Sequence, residues 1–241
     1  MAHEDKDLIE KIKELDYFIF DFDGTLYPGL LLSELVFDFL KDYGLKNPSE
    51  QWRYDELDSI FKNRDLYSFD ELCNRSALLL KDVERDELLK KLPLFMDKCY
   101  PSSLELIALL RQMGKKCFLS SLTIKEIASA AKAKYSFDGC VFRDLDQVKV
   151  DGKTLFTGKY TKSNLDLGNY KIGTIEAFGL KSKKFLMAGN AIEDKCLLIE
   201  SEISVGVNPQ KELKEGMVFD VFLSDQKDPW ETLVDNLKKS L

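Results

Sequence analysis

Two aspartates one residue apart, Asp21 and Asp23, close the apolar run Tyr17-Phe18-Ile19-Phe20 and are followed by Gly24-Thr25. An ionised carboxylate is expensive to place next to buried apolar surface, so acids at the tip of such a run need a reason. Ordinary turns also collect aspartate, because its side chain accepts hydrogen bonds from nearby backbone. The next two residues shift that balance. Gly24 allows a sharp turn in which successive N–H groups face inward as an anion-binding nest, and Thr25 adds a hydroxyl. A carboxylate facing such a nest can attack phosphorus, and a second one, offset by a pleat and a turn, can pass a proton to the leaving oxygen.

Those acids need elements to hold them. Leu8, Ile9, Ile12 and Leu15 recur at helical spacing ahead of the apolar run. Beyond Pro28-Gly29 the patterns are helical throughout: LLLSELVFDFLKDYG, YDELDSIFKN, SFDELCNRSALLL and ERDELLKKLPLFMDK, broken at NPSE and NRD. This predicts an all-α insert over residues 29–98. From Pro101 helices and strands alternate: a helix at SSLELIALLRQM closed by Gly114, a strand at KKCFLSS and a helix at TIKEIASAAKAKY. A strand near CVF, a hairpin turning at Asp151-Gly152, a helix at KIGTIEAFG, a strand at KKFLMAG, a helix at IEDKCLLIES, a strand at ISVGV and a helix after Pro229 complete the series. The expected fold class is α/β, a Rossmann-like doubly wound and mostly parallel sheet formed by residues 1–28 and 99–241. Such sheets bind ligands at the carboxyl ends of their strands. Three of these strands end in Asp21-Phe22-Asp23, Ser120-Ser121 and Gly189-Asn190, which gathers polar residues at one rim.

Composition narrows the chemistry. The single histidine, His3, lies near the N-terminus, so Ser-His-Asp and Cys-His catalysis and histidine-rich metal sites are excluded. Catalysis here must run on carboxylates, lysines, hydroxyls or a metal held by oxygen. Five cysteines form no CxxC pair and are expected to be free core thiols in a reducing, cytoplasmic setting. A net charge of −7, with lysines interspersed among acids, argues against nucleic acid or an anionic membrane as partner. The apolar runs are shorter than a membrane span requires. Whether the chain is a monomer or a homodimer is open at this level.

The segment Asp21-Phe22-Asp23-Gly24-Thr25 resembles the DxDGT hallmark of the haloacid dehalogenase-like (HAD) superfamily. Further motifs of that superfamily follow in order: an apolar strand ending in Ser120, a lysine at Lys171, and Phe185-Leu186-Met187-Ala188-Gly189-Asn190 through Asp194, similar to an apolar strand followed by GDxxxD. The pattern spans residues 17 to 208, and the order of the core is similar to the phosphoserine phosphatase branch. The resemblance implies a Mg²⁺-dependent phosphatase in which Asp21 is the nucleophile and forms an aspartyl-phosphate, with Asp23 the acid and base. It implies Mg²⁺ held by Asp21, Asp23, Asn190 and Asp194, and phosphate bound by Gly24, Thr25, Ser120, Ser121 and Lys171. Lys159 and Lys162 are rivals for the phosphate lysine, and Ser121 is a rival for Ser120.

Under the same resemblance the helical insert would be a cap, with Trp52, Arg53, Tyr54, Arg64 and Arg75 as candidate substrate contacts. The phosphoserine branch carries a cap glutamate near the position of Leu30, so phosphoserine is not the expected substrate; a small phosphorylated metabolite is. The departure at Asn190, where the superfamily has an acid, removes one anionic metal ligand and is expected to weaken the cation site. A nonhydrolytic relative that binds a phosphorylated ligand, and a phosphotransferase or phosphomutase, are the alternatives.

Overall fold

Helix α1 (His3–Glu14) buries Ile9 and Ile12 and hands the chain to β1 (Tyr17–Phe20). The computed structural model describes residues 3–63, 69–161, 171–224 and 227–241. Phe18, Ile19 and Phe20 of β1 are all buried, as a continuous apolar run is when a strand is covered on both faces. After the acidic turn come α2 (Leu31–Lys46), α3 (Gln51–Lys62), α4 (Phe69–Leu79) and two short helices, α5 (Arg85–Leu89) and α6 (Leu92–Met96). The stretch ERDELLKKLPLFMDK, expected as one helix, is therefore split. Pro93 sits in the first turn of α6, where its missing N–H is tolerated, whereas in mid-helix it would leave a carbonyl unpaired.

The alternating part continues with α7 (Pro101–Gln112), β2 (Lys116–Ile124), α8 (Lys125–Tyr135), β3 (Gly139–Arg143), β4 (Leu145–Val150) and β5 (Lys153–Tyr160). Gly114, at φ +78°, supplies the left-handed residue that closes α7. Then follow α9 (Gly173–Ala177), β6 (Phe185–Gly189), α10 (Lys195–Glu200), β7 (Ile203–Val207), α11 (Lys211–Gly216), β8 (Val221–Leu223) and α12 (Glu231–Ser240). Six strands form one parallel sheet in the order β3-β2-β1-β6-β7-β8. This is the expected α/β, Rossmann-like fold.

Register brings the strand ends level: Phe20 of β1 lies opposite Leu119 of β2 and Ala188 of β6. The residues immediately after them, Asp21, Ser120 and Gly189-Asn190, are therefore carried to one edge. Trp230, fully buried just before α12, packs edge-on to Phe20 at 5.9 Å and donates its indole N–H to the Thr25 carbonyl at 2.9 Å. The C-terminal region thus anchors the acidic turn from below.

Strands β4 and β5 form a separate antiparallel hairpin. Its turn, Asp151 at φ +48° and Gly152 at φ +79°, has the two left-handed residues that a tight hairpin requires. The hairpin is stitched to the helical insert: the Asp82 N–H donates to the Phe156 carbonyl at 2.8 Å, and the Phe156 N–H donates to the Val83 carbonyl at 3.0 Å. Sequence patterns predict an insert of helices alone; long-range pairing adds two strands to its surroundings. Cys99, Cys117, Cys140 and Cys196 are free thiols, and among the described residues no helix is long and apolar enough to cross a membrane.

Candidate active site

The chain leaves β1 in ladder register, because the Asp21 N–H still donates to the Ala188 carbonyl at 2.9 Å. It then turns sharply around the Phe22 carbonyl, which accepts from the N–H groups of Thr25, Leu26 and Tyr27 at 3.2, 2.9 and 3.0 Å. Gly24 lies at φ +77°, and a Cβ there would stand 1.9 Å from Asn190 Nδ2. Glycine is needed twice over, for the left-handed backbone and for the close approach of Asn190.

The nest is not built as expected. The Gly24 N–H donates to the carbonyls of Tyr27 and Gly29 at 2.7 and 3.0 Å, so it serves the turn, as Thr25 N–H does. Among the described residues no acceptor takes the N–H of Phe22 or Asp23, and these two amides are the donors beside Asp21. Sequence reasoning passed over them; their place directly after the first acid of the motif was the available signal. The Thr25 hydroxyl lies 3.5 Å from Asp21 Oδ2, a weak contact. Asp23, half-buried, accepts at Oδ1 from the Leu31 N–H at 2.7 Å and so caps α2. Burial pushes its carboxyl up to about 6, against the lowering effect of the Leu31 hydrogen bond and of Lys171.

Lys171 is the electrostatic centre. Its ammonium donates to Asp21 Oδ1 at 2.6 Å and to Asp194 Oδ1 by a shorter contact, with all three side chains buried. Burial works against the charged lysine, but Asp194 and Asp21 overcome it and hold its pKa above the ordinary value. One ammonium between two carboxylates leaves one negative charge unbalanced. Burial, and then Asp194, accordingly raise the Asp21 carboxyl, with Lys171 opposing. Lys159 is exposed on β5, and Lys162 lies outside the described residues.

Asp194 is bound on both sides. Its Oδ2 accepts from the N–H groups of Asn190 and Ala191 at 2.9 and 3.0 Å, and its Oδ1 holds Lys171. Both oxygens accept hydrogen bonds, so in this structure Asp194 orients the Asn190 loop and Lys171. The two serines also part ways. Ser120 is fully buried with its hydroxyl 2.8 Å from that of Thr174, whereas Ser121 lines the cavity described next. The register of β2 against β3 shifts between Ser120 and Ile124.

A cavity of about 540 Å³ opens over this rim. Its floor carries Asp21, Asp23, Ser121, Lys171 and Asn190, and its roof comes from α2, α3, α4 and the hairpin. The expected cap contacts lie elsewhere. Arg53 donates to Glu50 at 2.5 Å and to the Leu79 and Lys81 carbonyls at 2.7 and 2.8 Å, tying the insert together. Trp52 lies under the Arg53 guanidinium, Tyr54 stacks near Phe37, and Arg75 pairs with Glu56 at the surface. Arg64 lies outside the described residues.

Asn190 Oδ1 is buried and has no hydrogen-bond partner. An orphaned hard oxygen beside Asp21 fits a divalent cation. Among the described residues no three His, Cys, Asp or Glu side chains converge as a metal group, so such an ion would rest on Asp21 together with neutral oxygens.

Comparison with known proteins places this geometry. No protein-family profile and no curated protein sequence matches the chain. Among solved structures, a substrate-bound phosphoserine phosphatase superposes with a TM-score of 0.67 at 20% identity, covering 91% of this chain and 97% of the other. A phospho-aspartyl intermediate analogue of phosphoserine phosphatase gives 0.65 at 20% identity, covering 91% and 97%. A HAD family hydrolase from Salmonella enterica serovar Typhi gives 0.69 at 14% identity, covering 94% and 73%. The likeness is one of architecture: the chain has the Rossmann-like fold of phosphoserine phosphatases and HAD hydrolases.

Proposed function

We propose that the chain is a Mg²⁺-dependent phosphatase of the HAD type, hydrolysing a small phosphate monoester through an aspartyl-phosphate. The observation that carries this reading is the gathering of Asp21, Asp23, Ser121, Lys171 and Asn190 on one wall of a single cavity at the carboxyl ends of adjacent parallel strands. Residues 1–28 and 99–241 form the catalytic core under this proposal, and residues 29–98 are its cap.

In the first step a carboxylate oxygen of Asp21 bonds to phosphorus as the bond to the alcohol oxygen breaks. The proton on Asp23 passes to that oxygen, and the alcohol departs. In the second step Asp23 takes a proton from water, the water oxygen bonds to phosphorus, and the bond from phosphorus to Asp21 breaks to release inorganic phosphate. An acid with a pKa near 6 suits both directions of transfer close to neutral pH. Lys171, the Ser121 hydroxyl and the amides of Phe22 and Asp23 would hold the phosphoryl oxygens as charge spreads over them. Asp21, the Asp23 carbonyl and Asn190 Oδ1 would hold Mg²⁺, which when bound lessens repulsion between an anionic nucleophile and an anionic ester.

A second reading has one observation behind it. Asn190 brings a neutral amide to the cation site, and Lys171 already neutralises much of the charge on Asp21, as a phosphate-binding protein without turnover would allow. Phosphate release from a panel of monoesters, with and without Mg²⁺, tests the choice beside Asp21→Asn. Mg²⁺-dependent release that Asp21→Asn abolishes is expected. Absence of release from every ester, with Asn190→Asp restoring it, would sink the phosphatase reading for this chain.

A further inference from the structure

The floor of the cavity is charged and its roof is not. Val36 from α2, Leu57 and Ile60 from α3, Ala77 and Leu80 at the end of α4, and Leu145 from the hairpin face the acidic rim. Ser33, Ser76 and Tyr160 add hydroxyls without charge. At the mouth, Leu30 and Ile192, 44% and 43% exposed, extend this apolar lining outward. No arginine lines the cavity among the described residues, and its lysine, Lys171, is held by Asp21 and Asp194. The further charged groups of the lining, Glu193 and Glu212, are both acidic.

We infer that the ester cleaved here is the phosphate of an uncharged, apolar alcohol, its phosphate on the Asp21 floor and its hydrocarbon arm against α2, α3 and the hairpin. The inference rests on the phosphatase reading for the use of the floor. The roof supplies the rest. A carboxylate on the alcohol would shed its hydration among aliphatic side chains, gain no further cation among the described residues, and face Glu193 and Glu212; each effect is unfavourable. An alkyl or aryl arm displaces water from the same walls and gains with every carbon buried. An ammonium-bearing alcohol is the competing case, since the two glutamates would attract it.

Calorimetric titration of the full chain with ethyl-, butyl- and hexylphosphonate in Mg²⁺ tests the inference, beside aminoethylphosphonate and the phosphonate isostere of phosphoserine. Affinity should rise by about threefold per added methylene, or roughly 80-fold from ethyl to hexyl. Leu32→Asn, at the half-buried lining of α2, should flatten that series. Leu30→Ser, at the exposed mouth and safe for folding, should remove its last increments. A flat series in the unaltered chain, or tighter binding of the aminoethyl or serine compound, overturns the inference. Phosphate release from the matching esters reads the underlying function separately. A rising phosphonate series without release of phosphate from hexyl phosphate retains the ligand class and discards the phosphatase. A flat series with release from phosphoserine does the reverse.

Discussion

Replacing Lys171 by Met keeps most of the volume of the side chain and removes its charge. In the structure that charge sits between Asp21 and Asp194, with side-chain exposures of 4%, 7% and 0% for the three residues. Truncating one partner of a buried ion pair leaves an uncompensated charge and costs about 3–5 kcal/mol. For a chain of this length each kcal/mol lowers the melting temperature by roughly 2–4 °C, so a fall of about 6–20 °C is expected. The pH dependence has a definite sign. Lys171 lowers the Asp21 carboxyl, which burial and Asp194 already raise; without Lys171 it rises further. The folded protein then keeps a proton that the unfolded chain releases near 3.8. The unaltered chain, whose Asp21 is itself raised to about 8, shares that loss up to this pH, so the pH-dependent part of the variant's extra destabilisation grows only as pH rises through about 8 and levels off above the variant's higher value. Melting followed by circular dichroism at about pH 6.5 and about pH 9.5, on either side of that value, checks this. A variant that melts within about 2 °C of the unaltered chain at both pH values would refute the claim that Lys171 locks a buried acid pair.

Three more substitutions probe the same rim. Asp23→Asn should lower kcat by about 10²–10⁴ in monoester hydrolysis, the range for losing a general acid, with a smaller loss for esters whose alcohol leaves without a proton; equal losses across leaving groups would contradict the proton-transfer role. Asn190→Asp adds an anionic ligand and should shift the Mg²⁺ activation curve at least tenfold toward lower concentration, while an unchanged curve would remove Asn190 from the cation site. Gly24→Ala places a Cβ 1.9 Å from Asn190 Nδ2 at φ +77°; the left-handed backbone alone costs about 1–2 kcal/mol, so melting should fall by several degrees and phosphate release should be lost together.

Much of this site was legible because its elements announce themselves locally. Phe18-Ile19-Phe20 and Phe185-Leu186-Met187-Ala188 are runs that can only be buried, and the residues after them had to emerge at the sheet edge. What escaped depends on contacts remote in sequence or on very short elements. Strand β8 has three residues with Phe222 45% exposed, and α11 has six with Leu213 as its buried residue, too little pattern for either period to register. Ser120 and Ser121 are adjacent hydroxyls on one strand, and the sequence does not show that Ser121 lines the cavity while Ser120 meets Thr174. Residues 82 and 83 pair with Phe156, more than seventy positions away, so no local signal could assign the hairpin to the insert. The hydrogen bonds that Asp194 accepts from Lys171, Asn190 and Ala191 were hidden in the same way, because its spacing from Gly189 says nothing of them.

The charge distribution also explains how one cavity can separate chemistry from selection. A phosphate monoester brings up to two negative charges to a floor where Asp21, Asp194 and Lys171 already sum to one negative charge. The apolar roof offers nothing to offset them. Compensation must come from the floor itself, through Lys171, the Phe22 and Asp23 amides and a cation beside Asp21. Asparagine at position 190 is consistent with that constraint, because a carboxylate there would add a further buried charge whenever the cation is absent. Under the proposed function, phosphate recognition would be confined to the sheet edge, which parallel pairing and Trp230 beneath the turn support. On that reading the walls of α2, α3 and the hairpin would be free to vary with the alcohol without disturbing Asp21 and Asp23.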